Sequence, residues 1–241
     1  MHTALASGSG RYPSAALARD GFVVQPQFLD ADAAGRLREA LSYLAERTVK
    51  SVPAAGVAVR DRADRQDRDL NVRQVLNVDR LDPGVSALIP SERIDAAMRA
   101  FTGRDVRLGS MTLQVDWPDT ETKRGLHVDS HWPVTFKAFL YLTDVTEPAN
   151  GPFAAVPGSH RHRLRKLAAI VHNAARRKKL TDLDGAYRLD EARCLTGAAG
   201  TAIFADQRLA HAGWPGHTTG TRLMLVGYFY DATVEVPAFL R

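Results

Sequence analysis

Residues 126–145 read LHVDSHWPVTFKAFLYLTDV, and how this stretch is read decides the rest of the chain. His127 and Asp129 are two residues apart, so on extended backbone they project to one face. After them, from Thr135 to Leu142, runs the apolar segment TFKAFLYL with a single charge, Lys137. A run of that length and composition predicts a buried strand. Downstream, TEPANGPFAAVPGSHR (146–161) sets NGP and PGSH turns on either side of a short apolar run. The segment GTAIFADQRLAHAGWPGHTTGTRLMLVGYFY (200–230) then supplies a Gly-led strand, His211, and a last strand opened by Arg222. Strands are expected at 125–129, 134–144, 152–156, 193–196, 200–205 and 222–230. Many short strands separated by Gly, Pro and Asn turns argue for a sandwich or barrel.

A His-x-Asp pair and one later His can offer two nitrogens and one carboxylate oxygen to a single ion. That set suits a borderline, redox-active metal and leaves coordination positions open. Singly these signals are weak, because a lone His is more often a satisfied core or surface residue than a ligand. Their order carries more weight: His-x-Asp, apolar strand, two turns, a Gly-led strand, His, then Arg on the next strand. Arg222 alternates with Leu223 and shares a face with Met224, Val226 and Tyr228. A guanidinium inside a strand needs an anion, either a bound carboxylate or an internal Asp or Glu.

In that order the motifs resemble the phytanoyl-CoA dioxygenase-like family of Fe(II)/2-oxoglutarate oxygenases, from about Ala18 to Asp231. The opening DGFVVQPQFLDADAAGRLREAL (20–41) is also similar to the family's start. The resemblance implies a mainly β fold with flanking α-helices, a double-stranded β-helix of the jelly-roll, cupin-like kind. It implies that His127, Asp129 and His211 bind iron and form the catalytic centre, with 2-oxoglutarate and O2 as co-substrates. Arg222 would then hold the distal carboxylate of 2-oxoglutarate, and Gln114 would touch its keto-acid end. The reaction implied is hydroxylation of a small molecule, free or linked to coenzyme A or an acyl carrier, with release of succinate and CO2. Asp129 stands where chlorinating relatives carry Gly or Ala, which favours hydroxylation. Gly213 departs from relatives that place Ser or Thr two residues after the distal His. A cupin-like isomerase or sugar-binding module without 2-oxoglutarate is the alternative; it would keep the histidines and have no use for an inward Arg222.

Arg73, Lys137 and Trp132 are candidate substrate contacts. Arg73 and Gln74, on the strand-like NVRQVLNVD, are both candidate cavity groups. Lys137 is either a second anion contact or a side chain snorkelling to the barrel's outside, and the second reading is preferred. His131 is read as lying behind the ligands or at the surface, and His160 and His162 as parts of a solvated turn.

The 241 residues fit one domain, with residues 1–12 a loose tail. Net charge is +5, and Cys194 is the only cysteine, so no intrachain disulfide can form. No apolar run reaches membrane-spanning length and the start lacks a signal-peptide layout, so a cytoplasmic protein is expected. Helices are expected over 14–20 and after Asp30, with Ala34, Leu37, Leu41 and Leu44 inward, and before Gly103. Residues 50–70 read as a charged loop. The segment 161–180 holds eight Lys or Arg and no acid. Its Leu167, Ile170, Val171 and Ala174 fall at helical spacing and are expected to pack, with the cations facing solvent near the cavity mouth. No aromatic residue interleaves with those cations and no RNP-like motif occurs, which argues against nucleic acid.

Overall fold

The computed structural model describes residues 14–46, 56–61, 72–122, 125–129, 135–183 and 185–233. Twelve strands form among these residues. They are β1 (Phe22–Gln25), β2 (Ala58–Asp61), β3 (Val72–Leu76), β4 (Val106–Asp116), β5 (Glu121–Thr122), β6 (Thr135–Tyr141), β7 (Phe153–Ala155), β8 (Arg193–Leu195), β9 (Ala202–Asp206), β10 (His211–Gly213), β11 (Gly216–His217) and β12 (Arg222–Asp231). The larger sheet runs β1-β9-β6-β12-β4-β3-β2, the smaller β10-β7-β8, and β11 pairs with β5. Every strand pairing is antiparallel. The two main sheets form a double-stranded β-helix, the expected jelly roll.

Period-two alternation divides the larger sheet into two faces. Phe136, Ala138 and Leu140 of β6, with Leu223, Leu225 and Phe229 of β12, belong to a core shared with the helices. Phe139 and Tyr141, with Met224 and Val226, face the smaller sheet and meet Phe153 and Leu195 there. The helix layer consists of α1 (Ala15–Asp20), α2 (Ala31–Glu46), α3 (Pro83–Leu88) and α4 (Ser91–Thr102). Asp30 accepts from the Ala33 N–H at 2.7 Å, which starts α2 where expected. Ala34, Leu37 and Leu41 are buried in the core. Gly103, at φ 63°, ends α4 in the left-handed conformation that glycine adopts without penalty.

Four expectations need correction. The segment 125–129 is not a strand: His127 forms isolated bridges to His211 and to Asp182. Residues 58–61, expected in a loop, pair with β3 as an edge strand, where Arg60 and Asp61 mask the alternation. His160 is buried rather than in a solvated turn. The helix of the basic segment, α5 (Arg163–Ala175), does not bury its apolar stripe. Lys166, Ala169 and Asn173 are its buried residues, while Leu164, Leu167 and Val171 are exposed. Side-chain anchors decide its rotation. Lys166 Nζ donates to the His160 and Arg208 carbonyls, both at 3.1 Å, and Arg165 forks onto Glu191 at 2.6 and 2.8 Å.

No helix among the described residues is long and apolar enough to cross a membrane.

Candidate active site

His127 and His211 form a narrow antiparallel pair, each N–H donating to the other's carbonyl at 2.9 Å. That exchange brings the two imidazoles to 4.5 Å between ring centroids. Each ring is oriented by its own backbone: His127 Nδ1 lies 2.9 Å from the Gly125 carbonyl, and His211 Nδ1 lies 2.9 Å from that of Leu209. A carbonyl oxygen can only accept, so Nδ1 carries the proton and Nε2 keeps its lone pair in the neutral ring. Both Nε2 atoms turn toward Asp129, at 3.7 Å from Oδ1 for His127 and 3.4 Å from Oδ2 for His211. One ligand atom from each of the three residues lies within 4.8 Å of the others. This donor set fits a divalent transition metal, and the carbonyl contacts are the outer support that metal-binding imidazoles use.

Asp129 keeps 29% of its side chain exposed at the mouth of a cavity between the two sheets. Burial opposes its ionisation, but the Lys137 ammonium and the His211 and His127 rings outweigh it. Together they hold the carboxyl well below the usual carboxylate range. Lys137 Nζ donates to Asp129 Oδ2 at 2.5 Å. The preference for an outward Lys137 is therefore wrong. Helices cover the outer face of β6, and all seven of its residues are buried, so a snorkelling lysine has no water to reach on that side. Inside the cavity its charge meets a carboxylate.

Away from His127, Asp129 and His211, the side chains of Arg222, Asp116, Gln114 and Gln74 line the same cavity. Arg222 and Asp116 face each other across β12 and β4. Nε donates to Asp116 Oδ2 at 2.5 Å, and Nη2 contacts the same oxygen. Gln114 Nε2 donates to Asp116 Oδ1 at 3.0 Å, and Gln74 Nε2 donates to Gln114 Oε1 at 3.1 Å. The chain of donors fixes the carboxylate and, through it, the guanidinium. Gly151 flanks them at φ 67°; a Cβ there would stand 2.9 Å from Thr218 Cγ2 and 3.6 Å from Arg222 Nη1. Phe139, Phe153, Met224, Val226 and Tyr228 supply apolar or aromatic wall, and Gly213 also lines the space.

The sequence reading located His127, Asp129, His211, Arg222 and Gln114, and the structure brings them together. Arg73 is elsewhere: its guanidinium donates to the Ala45 carbonyl on the helix side, and its strand neighbour Gln74 enters the cavity instead. Trp132 and His131 lie outside the described residues. No residue of 161–180 lines the cavity among the described residues; that segment leads instead into a strip that backs residues 126–128. Asp116 was missed. It has the parity of Gln114 on one strand, so an inward Gln114 already implied an inward Asp116.

The family model for phytanoyl-CoA dioxygenase (PhyH) matches residues 17–224. The chain belongs to that family. A probable alpha-ketoglutarate-dependent hypophosphite dioxygenase of Stutzerimonas stutzeri is 29% identical over 166 residues. That alignment covers 65% of this chain and 57% of the relative, so it spans little more than half of that protein's length. Ectoine dioxygenase of Stutzerimonas stutzeri (strain A1501) is 26% identical over 246 residues, covering 91% of this chain and 76% of that protein. Among solved structures, the epimerase SnoN in complex with Fe3+, alpha ketoglutarate and nogalamycin RO matches with a TM-score of 0.62 at 21% identity. The match covers 94% of this chain and 86% of that one, and it shows a shared fold.

Proposed function

We propose that this PhyH-family chain is an iron(II)- and 2-oxoglutarate-dependent oxygenase that hydroxylates an unactivated C–H bond of a small molecule. One observation carries the reading: two backbone-oriented Nε2 lone pairs and the Asp129 carboxylate converge on a cavity that also holds a buried guanidinium. His127, Asp129 and His211 would hold the metal. When bound, iron(II) with 2-oxoglutarate and dioxygen supplies the oxidising chemistry, yielding succinate, CO2 and a hydroxylated product.

The chain's own groups do the positioning. Asp116 occupies the Nε side of Arg222, which leaves the end-on edge of the guanidinium as the fork for a second carboxylate. The 2-oxoglutarate distal carboxylate fits that role. The Gln114 amide is committed to Asp116 and Gln74, so its part is to steady the anchor rather than to touch the keto acid. Phe139, Phe153, Met224 and Val226 lower the polarity of the space between anchor and ligands, which strengthens each ionic contact inside.

A second reading keeps one specific support. Arg222 already has a counter-ion, which is what a cupin-like metal protein without 2-oxoglutarate would show. An anaerobic titration of the iron(II)-loaded protein with 2-oxoglutarate separates the two. Growth of the metal-to-ligand charge-transfer band, followed by succinate release on admitting O2, is the expected outcome. No band at saturating keto acid would favour the second reading.

A further inference from the structure

Lys137 carries a charge through the centre of the larger sheet, and nothing in a mainly apolar strand requires one. Its stem leaves β6 opposite Tyr228 of β12. Its ammonium lies 4.6 Å from the Tyr228 ring centroid and 6.0 Å from that of Phe139. The residue is 9% exposed. A lysine buried this far is costly unless an anion meets it, and that anion is Asp129. Its contact is with Oδ2, the oxygen that also faces His211, while Oδ1 is turned toward His127.

We infer that Lys137 is a positioning residue that shares the charge of Asp129 with the metal, trading metal affinity for affinity toward an anionic co-substrate. The inference rests on the proposed ligand set of His127, Asp129 and His211. The reasoning is electrostatic. A fixed cation beside a ligand oxygen weakens the pull of that carboxylate on a dication, and it adds attraction for any dianion entering the same low-dielectric space. Counting formal charges at the cavity, Asp116 offsets Arg222 and Asp129 offsets Lys137. A divalent metal then leaves an excess of two positive charges, which a dicarboxylate cancels. Without Lys137 the excess falls to one, the metal is held harder and the dicarboxylate is held less.

Lys137→Met, which keeps the length of the stem and removes the charge, tests this; Lys137→Arg, which keeps the charge, is its partner. Thermal unfolding first establishes that both fold. Cobalt(II) is titrated anaerobically into wild type and each variant by calorimetry, and 2-oxoglutarate is then titrated into the cobalt-loaded forms. Lys137→Met should bind cobalt about tenfold more tightly and 2-oxoglutarate about tenfold more weakly, with Lys137→Arg close to wild type in both. A lysine that merely fills space would, on removal, weaken both ligands or change neither, and either result overturns the inference. If wild type itself fails to bind cobalt, the ligand set is wrong; if it binds and Lys137→Met matches it, only the role of Lys137 is wrong.

Discussion

Arg222 and Asp116 stand directly opposite each other on neighbouring strands, and each is the other's charge partner inside the barrel. Asp116 is fully buried and Arg222 is 6% exposed, so neither side chain has bulk water to fall back on. Such a pair adds little net stability over an apolar pair, but breaking it is expensive.

That asymmetry predicts two different phenotypes. Arg222→Ala removes the carboxylate anchor and strands Asp116. It should weaken 2-oxoglutarate binding by about 2–5 kcal/mol and lower stability by about 3–5 kcal/mol. Asp116→Asn keeps a hydrogen-bonding side chain and leaves the guanidinium without its counter-charge. Its ligand-free melting temperature should drop, and the rise in melting temperature on adding 2-oxoglutarate should exceed that of wild type, because the ligand then provides the missing anion. Equal ligand-induced shifts in wild type and Asp116→Asn would place the co-substrate away from Arg222.

The proposed metal ligands make a separate prediction. Because both imidazoles present Nε2 under the control of a backbone carbonyl, His127→Ala and His211→Ala should each lose most bound iron. Removal of a ring also leaves Asp129 paired with Lys137, so the fold should survive. Anaerobic iron stoichiometry together with a far-UV spectrum checks both halves. A fully loaded His211→Ala protein would exclude that residue as a ligand.

His160 makes stability depend on acid. Burial pushes its imidazole down to about 4, with nearby Arg208, Arg161 and Lys166 adding to the effect against Asp206. The folded value lies below the ordinary 6.5, so on acidification the unfolded chain takes up this proton first. The stability present above pH 6.5 is therefore lost as the pH falls toward 4, by about 3 kcal/mol. Urea unfolding of wild type and His160→Gln at several pH values isolates the term, since the other titrating groups cancel in the difference. The advantage of wild type over the variant should shrink as the pH falls through this window; a constant difference would assign His160 an ordinary titration.

Legibility of the chain followed the physics of each element. On β12 the alternation of Arg222, Met224, Val226 and Tyr228 set the inward face correctly, because every second residue faces the same side. The same rule applied to β6 would have turned Lys137 inward alongside Phe139 and Tyr141. Preference for solvating a lysine overrode it, since the sequence does not say that helices cover the strand's other face. The convergence of His127, Asp129 and His211 was legible because spacing and order carry it. The inward face of Asp116 was available from its parity with Gln114, but its pairing with Arg222 was not, because a cross-strand partner depends on register, which no local pattern declares. On α5 helical periodicity found the stripe but not its direction, because two polar anchors, Lys166 and Asn173, set the rotation.

Those anchors give the last prediction. Asn173 is buried, and its Nδ2 donates to the Lys179 carbonyl at 3.1 Å and to that of Asp182 at 2.6 Å. The strip it fixes lies on the segment 126–128, where Val128 N–H donates to the Thr181 carbonyl at 2.9 Å and Leu183 N–H to that of Leu126 at 2.7 Å. Val128 sits between His127 and Asp129, so the side chain of Asn173 reaches the ligands through two backbone hydrogen bonds. Asn173→Ala should cost about 1–3 kcal/mol for the acceptors it leaves unmet. Leu164 and Leu167, at 82% and 54% exposed, should each tolerate Ser with a change of no more than about 0.5 kcal/mol. Hydrogen exchange distinguishes a local from a global effect. In Asn173→Ala the Val128 amide should exchange faster than the overall loss of stability accounts for, while amides in the middle of β12 follow the global value. Equal acceleration at both places would mean that Asn173 supports the fold as a whole and not the segment between His127 and Asp129.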